Sequence, residues 1–279
     1  RQIQDNSPET VCVYDKTMAD LQNMENEIAI GLDKAIKNKE FKIYLQPRFS
    51  LTTGKIVGAE SLVRWQREDG TILPPDSFIP DYEKNSRIID LDFYMFEETV
   101  KLLANWKEQG ILQRLISINA SALHAQNSDT VHRYTTILEK YGVDPALIEL
   151  ELTETATVSD YDHVKQLFAK LRTVGFRTAL DDFGAGYSVL NTVIDIPVNT
   201  VKVDRAFINN CEITRKGIYF LREIINLLKG LGYHIVCEGV ETPEQASILR
   251  NTMCDEVQGY WFSPPVPVDE FEKMLQEGR

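Results

Sequence analysis

Polar residues that can bind a cation follow short apolar runs throughout this chain. Six carboxylates and one amide occupy such positions: Glu60, Asn119, Glu151, Asp181, Asp182, Asp204 and Glu238. Moving a carboxylate out of water is unfavourable by several kcal/mol unless a cation or a hydrogen-bond donor compensates for the lost hydration. Because so many of these groups end strand-like runs, we predict that they share a bound cation.

The composition narrows the classes of protein that this chain can represent. Its 279 residues, of which 43% are hydrophobic, suffice for one barrel domain or two smaller domains. No apolar run is long enough to span a bilayer, and the four cysteines form no CxxC pair, so we expect a soluble, cytoplasmic protein without membrane contact. The net charge of −12 opposes binding to duplex nucleic acid, so a phosphate substrate would need a divalent metal.

Strand-like and helix-like segments alternate along the chain. Strands are predicted at residues 42–46, 55–63, 115–119, 148–152, 177–183, 200–204, 234–240 and 256–262. Amphipathic helices are predicted at residues 88–108, 131–141, 162–174, 216–231, 243–251 and 268–276. Repeated βα units of this length favour an α/β fold, a TIM-like (β/α)8 barrel, whose active site lies at the C-terminal ends of the strands.

Two features depart from a regular barrel. The eight residues PRFSLTTG between the first two strands are too few for a crossover helix, so the first strand should run antiparallel to the second. Residues 1–25 are polar and are interpreted as a linker, and a helix is predicted at residues 25–38. We expect the chain to be part of a longer protein.

Seven sequence blocks occur in the same order as the motifs of EAL domains, which they resemble. The blocks are ESLVRW (60–65), SINAS (117–121), ELTE (151–154), DDFGAGYS (181–188), VKVDRAFI (201–208), CEGVET (237–242) and QGYWFSPP (258–265). EAL domains are bacterial phosphodiesterases of cyclic di-GMP, and the resemblance covers residues 26–279. The upstream CVYDKTMADLQNMENEI resembles the junction after a GGDEF diguanylate cyclase domain, so residues 1–25 could end such a domain and a membrane anchor could lie further upstream.

The resemblance implies a site for Mg²⁺ or Mn²⁺, with two ions bound. The implied ligands are Glu60, Asn119, Glu151, Asp181, Asp182 and Glu238, with Asp181 bridging the two ions. An all-oxygen set of this kind suits a hard divalent cation. Adjacent aspartates on an extended strand point to opposite faces, so the backbone must turn there, and Gly184 and Gly186 permit such a turn.

The resemblance also implies roles for residues outside the ligand set. Glu60, Lys202 and Glu238 would be catalytic, with Lys202 orienting the attacking water. Substrate contacts are implied for Gln46, Leu62, Arg64, Asp204 and Glu241. Support of the site is implied for Glu154 and Gln258. Among the departures from the family pattern, Ser61 and Cys237 remove no implied ligand; Cys237 could make activity sensitive to oxidation, but the favoured interpretation is a buried, inert thiol.

Several alternatives stay open from the sequence alone. Taken singly, an acid such as Glu60 could be an exposed strand-end charge, Asn119 could cap the next segment, and Lys202 could lie on the surface. The predicted activity is hydrolysis of cyclic di-GMP to linear pGpG by a homodimer. The alternatives are a catalytically silent cyclic di-GMP receptor and a different metal-dependent hydrolase on a similar barrel.

Overall fold

The strands follow the predicted order but differ from the prediction in length. The computed structural model describes residues 31–185, 193–212 and 214–278. Its strands are β1 (Phe41–Ser50), β2 (Ile56–Gln66), β3 (Ile72–Leu73), β4 (Leu115–Asn119), β5 (Ile148–Thr153), β6 (Arg177–Phe183), β7 (Thr200–Val203), β8 (His234–Cys237), β9 (Glu256–Val257) and β10 (Val266–Pro267). Strands β8 and β9 end earlier than predicted because Gly239 and Gly259 adopt positive φ angles, and the segments that carry Glu238 and Gln258 therefore lie just beyond them.

The longer helices lie close to their predicted positions. The helices are α1 (31–37), α2 (Ile79–Lys84), α3 (Ile88–Gln109), α4 (Thr130–Tyr141), α5 (Glu154–Ser159), α6 (Tyr161–Val174), α7 (Arg205–Glu212), α8 (Arg215–Gly230), α9 (Pro243–Leu249) and α10 (Val268–Gln276). Helices α2, α5 and α7, of six to eight residues, were not predicted. The predicted linker at residues 1–25, and residues 25–30 of the first predicted helix, lie outside the described residues. Over the ranges described, no helix combines the length and the apolarity needed to cross a bilayer.

The described residues divide into two compact units. The first comprises residues 31–42 and Arg64–Leu91, and the second comprises Ile43–Val63 and the residues from Asp92 onward. The second unit holds a closed barrel of eight strands, β1, β2 and β4 to β9, which confirms the predicted barrel. Strands β2 and β4 to β9 pair in parallel, whereas β1 runs antiparallel to β2 and to β9.

The antiparallel first strand confirms the expectation from loop length. Five residues, 51–55, connect β1 to β2, and the turn closes with a 3.0 Å hydrogen bond from Ser50 N–H to the Lys55 carbonyl. Gly54 adopts a φ of +67°, which a residue with a side chain rarely does. A short hairpin therefore replaces the crossover helix that joins parallel strands.

Amphipathic helices cover the barrel strands. In α6 the buried side chains Val164, Leu167, Phe168 and Leu171 recur at a spacing of three and four residues. This spacing forms one apolar stripe along a helix. Glycine at position 175, with a φ of +107°, ends the helix and lets the chain enter β6.

The first unit contains an aromatic core of its own. The Trp65 ring lies 5.2 Å from the Phe41 ring, 5.6 Å from the Phe78 ring and 6.4 Å from the Tyr82 ring, measured between centroids. The Trp65 indole N–H donates a hydrogen bond of 2.8 Å to Glu40 Oε2. Aromatic packing with a satisfied indole explains how so small a unit is stabilised.

Candidate functional site

Side chains from separate strands meet at the C-terminal end of the barrel. They are Glu60 from β2, Asn119 from β4, Glu151 from β5, Asp181 and Asp182 from β6, Lys202 from β7, Glu238 after β8 and Gln258 after β9. The five carboxylates Glu60, Glu151, Asp181, Asp182 and Glu238 are referred to below as the acidic cluster. Parallel register brings them together, since Asn119 pairs with Glu151 across β4 and β5, and Thr153 pairs with Asp181 across β5 and β6.

Lys202 lies inside the acidic cluster. Its Nζ is 2.6 Å from Glu151 Oε2 and 2.8 Å from Glu238 Oε1. The same atom is 3.2 Å from Asp181 Oδ1 and 3.3 Å from Glu60 Oε2. Because Lys202 is 0% exposed, the interpretation of it as a surface lysine is wrong. Strand β7 directs this side chain into the barrel.

Glu60 is held by two amide donors. Asn119 Nδ2 donates to Glu60 Oε1 at 2.7 Å, and Gln258 Nε2 donates to Glu60 Oε2 at 2.6 Å. Gln258 Nε2 also donates to Gln46 Oε1 at 3.0 Å. The side chain that caps the turn after β4 is Ser121, so the capping role considered for Asn119 is wrong. These contacts fix the orientation of the Glu60 carboxylate.

The backbone turns at the paired aspartates, as the sequence requires, but the turn begins two residues before the first of the glycines. Asp182 itself has a φ of +55°, and the β6–β7 register shifts within residues 180–183. Asp181 Oδ1 accepts a 2.9 Å hydrogen bond from the Asp182 N–H, which stabilises the turn. Gly184 follows with a φ of +97°, whereas Gly186 lies outside the described residues. A left-handed conformation at a non-glycine residue is unfavourable and is common at functional sites.

Glu154 ties the end of β5 to this turn. It is the first residue of α5, is 3% exposed, and its Oε2 accepts a 3.1 Å hydrogen bond from the Gly184 N–H. Burial raises the pKa of Glu154, although the Gly184 N–H acts in the opposite direction. This geometry fits the supporting role that the family resemblance implies for Glu154.

Burial opposes the charged form of both Glu60 and Glu151, with different outcomes. At Glu60 the effect of burial is outweighed by Lys202 and by the Gln258 and Asn119 donors, so its pKa lies below the usual value. At Glu151, burial raises the pKa to about 8, because the neighbouring carboxylates add repulsion that Lys202 does not fully offset. The cluster therefore binds protons more readily at Glu151 than at Glu60.

The remaining members of the cluster also favour protonation. Burial and then repulsion from Asp181 and Asp204 raise the pKa of Asp182 to about 6. Burial raises the pKa of Glu238 well above its usual value despite the neighbouring Lys202. Burial alone would lower the pKa of Lys202, but four carboxylates hold it well above its usual value, so the ammonium stays charged.

Two sets of carboxylates have the spacing of cation ligands. Glu60, Glu151 and Asp181 each offer an oxygen within 4.8 Å of the others, and so do Asp181, Asp182 and Glu238. Asp181 belongs to both sets. One carboxylate shared by two sets is compatible with two neighbouring cations, as in two-metal sites.

An unpaired buried oxygen supports the fit to a cation. Glu151 is 0% exposed, and its Oε1 has no hydrogen-bond partner among the described residues. A buried oxygen of this kind is destabilising unless an ion or a donor binds it. Asn119 uses its amide nitrogen for Glu60, which leaves its oxygen as a neutral ligand. The available donor set consists of oxygens and fits Mg²⁺ or Mn²⁺.

Three of the residues implied in substrate contacts follow or belong to strands of the second unit. Asp204 comes directly after β7, and its Oδ1 accepts a 2.7 Å hydrogen bond from the Ala206 N–H at the start of α7. Glu241 Oε1 lies 2.8 Å from Arg205 Nη1, which connects the segments that follow β7 and β8. Leu62 is half-buried in β2.

The other two implied contacts differ in their surroundings. Gln46 is 8% exposed, and its Nε2 donates to the Ser263 carbonyl at 3.3 Å, so this amide is held from both ends. Arg64 is a half-buried residue of β2 that belongs to the first unit. A direct substrate contact stays a prediction for each of these residues.

A second charged layer inside the barrel was not predicted. Arg48 is 1% exposed, and its Nη1 lies 2.7 Å from Glu149 Oε2 while its Nε lies 3.3 Å from Glu256 Oε2. Glu149 lies two residues before Glu151 on β5, and Glu256 on β9 lies two residues before Gln258, which directly follows that strand. Residues two apart in an extended chain lie on the same face. The spacing of Glu149 and Glu151, and of Glu256 and Gln258, was therefore the signal in the sequence for this second charged layer.

Cys237 does not have the surroundings of a redox-sensitive thiol. It is 0% exposed. Hydrogen bonding to Cys254 and then burial raise the pKa of Cys237 well above its usual value. A buried, protonated thiol is inert, so the oxidation sensitivity considered from the sequence has no support in its environment.

Comparison with known proteins shows which protein family has this barrel and this acidic cluster. The family model described as "EAL domain" matches residues 31–265. The chain therefore belongs to the EAL domain family. That match covers most of the chain and includes every residue of the acidic cluster.

Individual relatives agree with the family. The chain is 34% identical over 246 residues to "Signaling protein YkoW" of Bacillus subtilis, covering 88% of this chain and 31% of that protein. It is 32% identical over 248 residues to "Cyclic di-GMP phosphodiesterase NbdA" of Pseudomonas aeruginosa, covering 89% of this chain and 32% of that protein. The chain thus spans about a third of the length of these relatives.

A solved structure shares the fold over most of the chain. The complex of the PaMucR phosphodiesterase with c-di-GMP superposes with a TM-score of 0.81 at 27% identity, covering 88% of this chain and 99% of that one. The EAL barrel of this chain is therefore shared with a phosphodiesterase whose structure was solved with c-di-GMP.

Proposed function

We propose that this domain hydrolyses cyclic di-GMP to linear pGpG with Mg²⁺ or Mn²⁺ bound at the acidic cluster. Support comes from membership of the EAL family and from a relative that carries the name of a cyclic di-GMP phosphodiesterase. The observation that carries the proposal is the pair of carboxylate sets that share Asp181 at the mouth of the barrel. Two cations bound there would activate water and stabilise the charge that develops on a phosphodiester.

The side chains of the domain would position the reacting groups. Lys202 stays cationic, so it would orient the attacking water and stabilise negative charge, and it would not accept a proton. Gln46 and Gln258 hold each other and Glu60 by hydrogen bonds, so this edge of the site is ordered before a substrate enters. Preorganised groups of this kind lower the barrier without rearranging during the reaction.

The proton balance assigns a role to Glu238. Hydrolysis forms a bond from the water oxygen to phosphorus, breaks the bond to the 3′ oxygen, and delivers one proton to that leaving oxygen. The attacking water loses one proton as it bonds to phosphorus, and the ionised carboxylate of Glu238, 2.8 Å from the Lys202 ammonium, would accept that proton and return it to the leaving 3′ oxygen. We assign Glu238 as the acceptor of that proton.

A non-catalytic receptor is the second candidate function. A receptor needs the nucleotide site but not a full set of metal ligands. All six implied ligands are present here, and five of them form the acidic cluster. The complete ligand set favours the enzyme over the receptor.

Turnover separates the two candidates. The purified chain would be incubated with cyclic di-GMP and Mn²⁺ or Mg²⁺, with an EDTA control, and pGpG would be measured by chromatography. The enzyme predicts metal-dependent pGpG, whereas tight nucleotide binding without product would establish the receptor. Asp269→Asn is the matched control, because this carboxylate on α10 is exposed and lies outside the acidic cluster.

Three further properties of the protein remain predictions. They are the domain boundaries at residues 26 and 279, the homodimer, and the cytoplasmic location. Light scattering coupled to size-exclusion chromatography would test the homodimer, for which a mass close to 64 kDa, or 2 × 31.9 kDa, is expected.

A further inference from the structure

Lys202 contacts both of the carboxylate sets that could bind cations. Its Nζ lies within 3.3 Å of one oxygen from each of Glu60, Glu151, Asp181 and Glu238. Glu60 and Glu151 belong to one set, Glu238 belongs to the other, and Asp181 belongs to both. The ammonium group therefore occupies the centre of the acidic cluster.

The ammonium and a divalent cation need the same oxygens. An ammonium group has three hydrogen-bond donors, and here it has four carboxylate oxygens within reach. Magnesium binds oxygen ligands at about 2.0 to 2.1 Å and demands a near-octahedral geometry. A carboxylate oxygen aimed at Lys202 must be shared or redirected before it can bind a metal.

The position of Lys202 is fixed by its strand. Val201 and Val203 on either side are 0% exposed, and the alternation of side chains along a strand directs them to the face opposite Lys202. Lys202 is equally buried, so its ammonium cannot exchange carboxylates for water without leaving the barrel interior. It must stay near any cation that enters.

We propose that Lys202 is the resident counter-ion of the acidic cluster and competes with divalent metal for it, so that this one residue sets the metal affinity. The inference rests on the cation site of the proposed function. Without metal, Lys202 compensates the buried carboxylates and keeps them together. With metal, it repels the incoming cation and weakens binding.

Metal titration without nucleotide tests this competition. Mn²⁺ binding to the full chain would be measured by isothermal titration calorimetry at pH 8 for wild type, Lys202→Met and Lys202→Arg. We expect Lys202→Met to bind Mn²⁺ at least tenfold more tightly than wild type and to have a lower melting temperature in EDTA. Lys202→Arg retains the charge and should bind Mn²⁺ within about threefold of wild type.

The outcomes separate this inference from the proposed function. Equal or weaker Mn²⁺ binding by a folded Lys202→Met variant would overturn the competition, whatever the wild type hydrolyses. Absence of Mn²⁺ binding by both the wild type and Lys202→Met would instead refute the cation site and, with it, the proposed function.

A second neutral variant covers the possibility that Lys202→Met fails to fold. Lys202→Gln keeps a polar side chain and would be followed by circular dichroism with and without Mn²⁺. If both neutral variants fold only when Mn²⁺ is present, the counter-ion role is supported, because metal then replaces the missing ammonium. If both are unfolded under either condition, Lys202 is a structural residue and the proposal fails.

Discussion

Individual carboxylates of the acidic cluster differ in their pKa values. Glu60 keeps a lowered pKa because an ammonium and two amides stabilise its carboxylate. Glu151, buried on β5 with β4 between it and β2, has a pKa of about 8 and one oxygen with no hydrogen-bond partner in the part of the chain that the structure describes. A cation that binds the cluster would therefore gain most by compensating Glu151.

Removing the charge of Glu60 should abolish turnover. Glu60→Gln keeps the shape of the side chain but removes a metal ligand and the acceptor for one amide donor. We expect pGpG formation to fall by on the order of 100-fold or more, as when a preorganised electrostatic group is removed. Circular dichroism should show a retained fold, and Asp269→Asn should keep wild-type turnover. Unchanged hydrolysis by Glu60→Gln would refute the metal assignment.

The affinity for metal should rise with pH. Asp182 and Glu151 have pKa values of about 6 and about 8, and both must lose their protons before they bind a cation. Between pH 5.5 and 8 we expect the Mg²⁺ association constant to increase by up to about tenfold per pH unit for each proton released. Calorimetry in buffers of different ionisation enthalpy would count the protons, and a flat profile would contradict the prediction.

The same groups determine how the stability of the metal-free protein depends on pH. The pKa of Glu151 is higher in the folded state than the value of about 4.3 expected in the unfolded chain. Between about pH 4 and pH 8 the folded state therefore binds more protons than the unfolded state. The contribution of Glu151 to the free energy of unfolding falls as the pH rises through this window. Denaturant titrations in EDTA at pH 6 and pH 8 would measure it.

At the scale of elements, the turn after β6 is held by its neighbours. Gly184 needs a positive φ, donates its N–H to Glu154, and lies against Phe207 at the start of α7. A Cβ at position 184 would lie 2.5 Å from the Phe207 ring. One residue of the turn thus connects β5, β6 and α7.

Gly184→Ala should displace this turn. The variant combines a left-handed backbone, which costs an L-residue roughly 1 to 2 kcal/mol, with the clash against Phe207. We expect a lower melting temperature and a kcat reduced by roughly tenfold or more, since misplacing a reacting group by 1 Å can cost about 100-fold.

Gly142→Ala is the matched control for the turn. Gly142 ends α4 with a φ of +65°, and a Cβ there would meet nothing within 4 Å. This variant should lose stability through backbone strain alone and keep full turnover. If the two alanine variants reduced kcat equally, the turn at Gly184 would have no special role in the site.

At the scale of the whole molecule, the barrel of the second unit is filled by charge in two layers. The upper layer is the acidic cluster with Lys202, and the lower layer is Arg48 with Glu149 and Glu256. Gly58 leaves the space for the lower layer, because a Cβ there would lie 2.9 Å from Arg48 Nη2. Each layer places a buried cation between carboxylates.

Arg48→Met should therefore destabilise the fold. The change leaves Glu149 and Glu256 buried without their cation, and breaking a buried ion pair costs about 3 to 5 kcal/mol. For a chain of this size we expect a decrease in melting temperature of roughly 10 °C, measured by calorimetry. Arg177→Met is the control, because Arg177 is 37% exposed and its Nε lies 3.6 Å from the same Glu149. Similar losses in the two variants would contradict the burial argument.

Much of this protein follows from local sequence patterns. Alternating apolar and polar residues predicted the strands, and the bounds of β4 and β6 agree with the structure, because strand and helix periods repeat within a few residues. The antiparallel first strand follows from a connection too short for a helix. The carboxylate and amide side chains at the strand ends indicated a divalent cation from the sequence alone.

Tertiary structure alone decided which charges meet. Lys202 is 51 residues from Glu151 and 142 from Glu60, and its position at the centre of the cluster depends on strand order, register and face together. The positive φ of Asp182 and the Arg48 layer are likewise set by packing across strands, which no local period encodes. Desolvation acts on the assembled barrel, so the raised pKa values and the unpaired oxygen of Glu151 exist only in the folded state.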